Sequence, residues 1–166
     1  MPSDPYVGSL LRTLILSKPG ARALELGTGV GLSLSWMIDG LSDGGHVVSI
    51  DADAALVNLV GEYFRDDPRV TLVHEDGAAW LERYAGPAFD LVFADAWPGK
   101  YSHLEEAVGL LRPGGFYVID DMDEQPNWPE GHDEKAAALM TRLEAREDLV
   151  ATKISWSTGV VVAVKR

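Results

Sequence analysis

The chain has 166 residues, of which 46% are hydrophobic and 24% are charged, as is usual for one soluble globular domain. Its net charge of -12 disfavours a nucleic-acid partner, because attraction to phosphates requires a basic surface. It has no cysteine, which excludes disulfides, thiolate metal sites and a cysteine nucleophile. No apolar run reaches membrane length and no signal-peptide pattern is present, so we expect no membrane partner and a cytoplasmic location.

Strand and helix patterns alternate along the chain. An amphipathic helix over residues 3–17 comes first, and we expect it to cover the sheet. Strands are predicted at 21–26, 46–51, 70–74, 89–94 and 116–119, with helices between them at 32–41, 54–65, 78–84 and 101–111. A helix at 133–146 and a hairpin of strands 150–156 and 160–165 follow. This order predicts one domain over 1–166, with an α/β, doubly wound, mostly parallel seven-stranded sheet and an antiparallel C-terminal hairpin.

A glycine-rich turn, Glu25-Leu-Gly-Thr-Gly-Val-Gly31, follows the first predicted strand and precedes a helix. Glycines there allow backbone N–H groups and the helix N-terminus to approach a ligand closely. The spacing departs from the dinucleotide fingerprint, because Leu32 stands at the third glycine position and Gly31 comes one residue early. Since Glu25 would repel a pyrophosphate, the turn favours a small molecule that carries an ammonium group.

Carboxylates follow the later predicted strands as well. In a doubly wound sheet these positions share the edge where ligands bind. Asp51 is placed to accept both hydroxyls of a ribose. Asp53 is interpreted as a helix cap, whereas Asp76 has two interpretations, a helix cap or an acceptor for an adenine amine. Asp95 follows the fourth strand, and the pair Asp120-Asp121 follows the fifth.

These segments together resemble the class I S-adenosylmethionine-dependent methyltransferases. The resemblance rests on ALELGTGVGLSLS, the acid at Asp51, VHEDGAAWL, DLVFADAWPGKY and LLRPGGFYVIDDM, and it covers residues 21–121. Within that superfamily the chain is most similar to the small cation-dependent O-methyltransferases, which include the catechol and caffeoyl-CoA enzymes. The resemblance implies methyl transfer from S-adenosylmethionine to a hydroxyl oxygen of a small molecule, with help from a divalent cation.

The resemblance also implies roles for individual residues. The metal ligands would be Asp95, Asp120 and Asp121, holding Mg²⁺ or another hard cation that binds two neighbouring substrate hydroxyls. Asp95 and Lys100 form the implied catalytic set. The implied cofactor-binding residues are Glu25, Gly27, Thr28, Gly29, Gly31, Ser33, Asp51, Ala52, Asp76, Gly77, Asp95 and Trp97.

The chain departs from the family pattern at three places. Asp121 stands where the family usually has asparagine, and Pro98 stands where it has a lysine that serves as general base. Lys100, two residues later, has two interpretations: a lysine that reaches the site, or a solvated lysine at a helix start. Fewer helical residues precede the first strand, so we expect a more open acceptor pocket or one completed by a second subunit in a homodimer.

The aromatic residues and histidines leave alternatives open. Trp97 and Trp128 either stack on an aromatic substrate or seal the cofactor and pack the loop. Trp36, Trp80 and Trp156 are predicted to be core residues, and the four histidines structural or exposed. The alternative functions are a metal-independent small-molecule methyltransferase, a non-catalytic S-adenosylmethionine-binding protein and an NAD-dependent oxidoreductase.

Overall fold

The computed structural model describes residues 4–166, in which a seven-stranded sheet carries helices on both faces. The helices are α1 Pro5–Leu16, α2 Leu32–Asp39, α3 Ala54–Phe64, α4 Gly77–Arg83, α5 Leu104–Gly109 and α6 His132–Glu144. The strands are β1 Arg22–Leu26, β2 His46–Asp51, β3 Val70–His74, β4 Phe89–Ala94, β5 Leu111–Ile119, β6 Leu149–Ile154 and β7 Val160–Lys165. Residue 3, where the first helix was predicted to begin, lies outside the described residues.

The strand order confirms the predicted doubly wound topology. Neighbouring strands follow the order β3-β2-β1-β4-β5-β7-β6. The first five pair in parallel, whereas β7 pairs antiparallel with both β5 and β6. From β1 the chain adds β2 and β3 on one side of the sheet and then β4 and β5 on the other. Ligands of such folds bind at this change of direction, in the crevice at the carboxyl ends of the strands.

The apolar core divides into two clusters, one on each face of the sheet. Helices α1 and α2 cover one face, where Leu11, Leu34 and Met37 are fully buried. Helices α4, α5 and α6 cover the other, with Trp80 and Leu139 buried. Strand β4 is buried along nearly its whole length, as expected of a central parallel strand that is covered on both faces.

The prediction around the fifth strand was wrong in its boundaries. Strand β5 begins at Leu111 rather than residue 116, and α5 spans only Leu104–Gly109. The segment with the sequence Arg-Pro-Gly-Gly lies within the strand. Phe89 of β4 pairs with Leu111 before this segment, and Leu91 pairs with Phe116 after it, so the register shifts between the two pairs. Such a bulge absorbs the extra residues that sequence patterns assign to a turn.

Two further findings concern the surface. Among residues 4–166, no helix is long and apolar enough to cross a membrane. Trp80 is buried as predicted, but the prediction of a core position for Trp156 was wrong. The Trp156 side chain is 40% exposed and packs against Tyr6 of α1, with 5.4 Å between the ring centroids.

Candidate functional site

A cavity of about 380 Å³ lies at the carboxyl ends of β1, β2, β3 and β4. Its size falls in the range of sites for small molecules and cofactors. The wall is built from four strand ends: Leu26, Gly27, Thr28, Gly29, Val30, Leu32 and Ser33 after β1; Ile50, Asp51 and Ala52 after β2; Asp76 and Gly77 after β3; and Asp95, Ala96 and Pro98 after β4.

The turn after β1 has a backbone shape that requires glycine. Gly27 has a φ angle of +102°, and a Cβ there would stand 2.9 Å from the carbonyl oxygen of Asp95. Gly31 has a φ angle of +81°, and a Cβ there would stand 3.0 Å from the Val60 side chain. The turn therefore packs closely against the loop after β4 and against α3. A side chain at Gly27 or Gly31 would clash with these neighbours and displace the turn.

Asp51 fixes the turn from the neighbouring strand. Its Oδ2 accepts a hydrogen bond from the N–H of Gly29 at 2.9 Å, and its Oδ1 accepts one from the N–H of Asp53, also at 2.9 Å. A carboxylate has about four lone-pair positions, so capacity remains for ligand hydroxyls. Asp51 thus joins the wall after β1 to the wall after β2.

Glu25 lies behind the cavity wall rather than in it. Its side chain is fully buried, and its two oxygens accept hydrogen bonds from the hydroxyls of Ser33 and Ser49. The Ser49 hydroxyl also bonds with that of Thr28 at 2.6 Å. Burial raises the pKa of Glu25 to about 8, although the two serine hydroxyls oppose that shift. The network ties β1, β2 and α2 together directly beneath the turn.

Both aspartates interpreted as helix caps do cap helices. Asp53 accepts from the N–H groups of Ala55 and Leu56 at the start of α3. Asp76 accepts from the N–H of Ala79 at 3.0 Å at the start of α4, and it also lines the cavity. The two interpretations of Asp76 are therefore compatible, because one oxygen caps the helix while the residue faces the cavity.

Beyond the cavity, Asp120 is buried at the end of β5 with a side-chain partner from the hairpin. Its Oδ1 accepts hydrogen bonds from the N–H of Asp121 at 2.8 Å and from the hydroxyl of Thr158. Burial raises the pKa of Asp120, and these two hydrogen bonds oppose the rise. Asp121 follows with a left-handed backbone, at a φ angle of +54°.

Lys100 lies inside this acidic region. Its side chain is buried, and its Nζ donates to the backbone carbonyl oxygens of Asp120 at 2.6 Å and Asp121 at 3.3 Å. Burial lowers the pKa of Lys100, and the carboxylates of Asp121, Asp95 and Asp120 oppose that shift. The interpretation of Lys100 as a solvated lysine at a helix start was wrong, because α5 begins four residues later and the side chain points inward.

Comparison with known proteins agrees with this arrangement. A model of the methyltransferase domain matches residues 24–122. A Mycobacterium avium (strain 104) protein named "Putative O-methyltransferase" is 31% identical over 171 residues, spanning 97% of this chain and 77% of the relative. The O-methyltransferase TomG of Streptomyces achromogenes, solved in complex with S-adenosylmethionine, is 25% identical with a TM-score of 0.83; the match covers 99% of this chain and 81% of TomG.

The chain belongs to the S-adenosylmethionine-dependent O-methyltransferases. The Bacillus cereus O-methyltransferase solved with S-adenosylhomocysteine has a TM-score of 0.85 at 23% identity, over 99% of this chain and 83% of that protein. At that identity the match shows a shared fold alone.

The structure of this methyltransferase brings most of the predicted cofactor residues to one cavity. The exceptions are Glu25, Gly31 and Trp97, which are not among the described residues that line it. Gly31 forms the cap of α2 immediately behind the wall. Trp97 is 51% exposed, and its ring packs on Tyr101 with 4.9 Å between the centroids. Ala96 and Pro98, its neighbours, take the places in the wall.

The metal site that the resemblance implies does not fit the donor set. Within residues 4–166, no group of three acidic, histidine or cysteine side chains is placed to hold a metal ion. Asp120 has one oxygen held by Thr158 and a backbone N–H, and the Lys100 ammonium binds the backbone carbonyl oxygens of Asp120 and Asp121. A cation already present among carboxylates opposes the entry of a second one.

Two side chains at this edge were not identified from the sequence. Thr158 belongs to a turn whose pattern indicates only a hairpin, yet its hydroxyl reaches Asp120. His132, interpreted as structural or exposed, is half-buried, and its Nε2 lies 3.0 Å from the hydroxyl of Tyr101, a contact that the sequence did not indicate. Its ring packs on Trp128 with 4.5 Å between the centroids. The spacing of these residues along the chain gives no signal, because the loops after β4 and β5 bring them together.

Proposed function

We propose that this methyltransferase binds S-adenosylmethionine in the cavity at the carboxyl ends of β1 to β4 and transfers its methyl group to a hydroxyl oxygen of a small molecule. The observation that carries the proposal is the single cavity wall that joins the glycine turn, Asp51, Asp76 and Asp95. A nucleoside bearing an amino acid needs such a wall, with hydroxyl acceptors at one end and backbone donors at the other. S-adenosylmethionine bound to TomG supports the choice of cofactor.

Different residues of the wall bind different parts of the cofactor. We assign the ribose hydroxyls to Asp51, whose carboxylate keeps free lone pairs after binding two backbone N–H groups. The adenine lies against Asp76 and Gly77, and the methionyl carboxylate lies near the N-terminus of α2, which has no side-chain cap. The cationic sulfonium then faces Asp95, a charge arrangement that favours S-adenosylmethionine over its neutral product.

Glu25 supports this site indirectly. Since its oxygens are taken by Ser33 and Ser49 and its side chain is fully buried, it does not line the cavity. We assign it the role of holding the turn in the shape that presents the backbone groups of Gly27 and Gly29.

We assign the acceptor to the side of β4 and β5. Trp97, Tyr101, Trp128 and His132 form a continuous aromatic surface there, with ring centroids 4.5–5.2 Å apart between neighbours. Such a surface binds a flat, apolar ring and leaves its hydroxyl pointing toward the charged residues. The chemistry is a single displacement: the oxygen forms its bond to the methyl carbon as the bond from carbon to sulfur breaks, and the hydroxyl proton leaves.

We propose this transfer without a divalent cation. The support is the donor set, in which the described acidic side chains do not form a metal-binding group and Lys100 lies among them. Asp95 stays in the proposed catalytic set because it borders the cofactor cavity and also interacts electrostatically with Lys100.

The cofactor assignment is tested by calorimetric titration with S-adenosylhomocysteine and, separately, with NAD. We expect saturable binding of S-adenosylhomocysteine and a rise in melting temperature that grows with its concentration, because a ligand of the native state stabilises it. NAD should produce neither effect. Stabilisation by NAD alone would contradict the proposal and favour an oxidoreductase.

A further inference from the structure

The backbone around Lys100 has little freedom. Gly99 has a φ angle of +84°, and a Cβ there would overlap the side chain of Leu26. The buried hydroxyl of Tyr117 donates to the Gly99 carbonyl oxygen from the core below. The N–H groups of residues 100, 101 and 102 all point at the carbonyl oxygen of Trp97, at 3.0–3.2 Å. This loop therefore fixes Lys100 at its tip and directs the side chain inward.

The ammonium group reaches a position defined by β5. Two backbone carbonyl oxygens, those of Asp120 and Asp121, accept from Nζ. A lysine ammonium has three N–H donors, so one remains after these two bonds. Burial lowers the pKa of Lys100, and the carboxylates of Asp121, Asp95 and Asp120 oppose that shift. These two bonds to backbone carbonyl oxygens hold the ammonium group at the end of β5.

We propose that the ammonium group of Lys100 serves this methyltransferase in place of a divalent cation, by holding the acceptor oxygen while the methyl group is transferred. The inference rests on the proposed function, since it assumes that the acceptor binds over β4 and β5. It accounts for two departures from the family pattern together: Pro98 at the place of the usual lysine, and a third carboxylate, Asp121, beside the displaced lysine.

The role limits the class of acceptor. A divalent ion binds two neighbouring substrate oxygens, whereas the single N–H donor left on Lys100 contacts one oxygen. The acceptor is therefore an aromatic molecule with one acidic hydroxyl, such as a phenol, and a second adjacent hydroxyl is not required. In the transfer, an oxygen lone pair forms the bond to carbon, the sulfonium takes the electron pair of the broken bond, and the hydroxyl proton goes to solvent. Lys100 keeps its proton throughout.

The experiment compares the wild type with Lys100→Met, Lys100→Arg and a matched control, Lys18→Met. Lys18 is half-buried and, like Lys100, donates to a backbone carbonyl, that of Gly114 at 2.8 Å, but at the opposite end of the sheet. Turnover is measured on matched phenols and catechols, in EDTA and in Mg²⁺. Binding of S-adenosylhomocysteine and of Mn²⁺ alone is measured by calorimetry on each protein.

In the wild type we expect equal turnover in EDTA and in Mg²⁺, comparable rates on phenols and catechols, and no saturable Mn²⁺ binding. Lys100→Met should lose about 100-fold in kcat, the effect of removing one donor from a developing oxyanion, with unchanged S-adenosylhomocysteine affinity. Lys100→Arg, which keeps the charge, should recover part of that loss, and Lys18→Met should turn over as the wild type does.

Turnover that disappears in EDTA and returns with Mg²⁺, saturable Mn²⁺ binding by the wild type, or wild-type kcat in Lys100→Met would each overturn the inference. If Lys100→Met does not fold, the Mn²⁺ titration of the wild type and the turnover rates of Lys100→Arg still test the inference. Failure of the proposed function is separate, because it appears as absent S-adenosylhomocysteine binding or as no methylation of any hydroxyl acceptor.

Discussion

A Cβ at Gly27 would stand 2.9 Å from the carbonyl oxygen of Asp95, so the turn after β1 and the loop after β4 meet backbone to backbone. These two segments form adjoining parts of the cavity wall. Their separation is therefore set by the absence of a side chain at position 27.

Gly27→Ala should destabilise the protein and weaken cofactor binding. A left-handed φ costs a non-glycine residue about 1–2 kcal/mol, and overpacking against Asp95 adds about 1–3 kcal/mol. The control is Gly44→Ala, at a φ angle of +79° with no atom within 4 Å of the point where its Cβ would stand, which isolates the backbone cost. Urea unfolding of both variants is the measurement, and an equal loss of stability would contradict the close packing.

Asp51→Asn should weaken S-adenosylhomocysteine binding by about 10- to 100-fold, as expected when charged hydrogen bonds to a ligand and to its binding turn are lost. The amide nitrogen cannot accept from Gly29 or Asp53, so the turn also loosens. Asp53→Asn is the matched control, because asparagine caps a helix about as well as aspartate. Calorimetry on both variants checks this, and wild-type affinity in Asp51→Asn would exclude the ribose assignment.

Glu25→Gln should change how stability depends on pH. Burial raises the pKa of Glu25 to about 8, so the folded protein keeps a proton that the unfolded chain releases near its ordinary value of 4.5. Folding then takes up a proton, and the contribution of this group to stability falls as pH rises between about 5 and 8. The slope is at most about 1.4 kcal/mol per pH unit for one proton.

In Glu25→Gln this slope should disappear, which unfolding in urea at pH 5, 6.5 and 8 would measure relative to the wild type. Glutamine retains one acceptor oxygen for Ser33 or Ser49, so the variant should still fold. An identical pH dependence in the two proteins would mean that Glu25 is ionised in the folded state.

Thr158→Val should destabilise the protein by about 1–3 kcal/mol, since it removes the hydroxyl that donates to the buried Asp120 carboxylate while keeping the side-chain shape. Thr152→Val on β6 is the control, because Thr152 is exposed and valine suits a strand. Thermal unfolding distinguishes them. A Thr158→Val protein as stable as the control would show that Asp120 does not depend on the hairpin.

Trp97→Ala should raise the KM for an aromatic acceptor and leave S-adenosylhomocysteine affinity unchanged, because Trp97 packs on Tyr101 outside the cofactor cavity. Trp156→Ala provides the comparison, since Trp156 is also half-exposed but packs on Tyr6 of α1. Steady-state kinetics with varied acceptor is the measurement. If Trp97→Ala changes only cofactor affinity, its ring belongs to the cofactor side.

The sequence predicts the residues of the cavity wall better than the position of Lys100 and of the aromatic surface beside it. Gly27, Asp51 and Asp76 each follow a strand directly in the sequence. Once the order of the strands is predicted, their positions at one edge of the sheet follow, and all three line the cavity. The inward direction of Lys100 depends on Gly99 fitting against Leu26, a contact between segments 73 residues apart that no local pattern encodes.

The pairing of Thr158 with Asp120 also escapes the sequence, because it joins two loops whose relative position follows from β7 pairing between β5 and β6. Likewise, Glu25 looks like a ligand residue in the pattern, yet two serines from other elements enclose it. The predicted homodimer stays a prediction.

The most direct measurement is the fate of a labelled methyl group. The protein is incubated with S-adenosylmethionine carrying an isotopic label on the methyl carbon and with a panel of small hydroxyl compounds in EDTA, and the products are identified by mass spectrometry and NMR. We expect the label on an oxygen of a phenol-like acceptor, with S-adenosylhomocysteine formed in equal amount. Label on nitrogen or sulfur alone, or bound cofactor with no labelled product on any acceptor, would contradict it.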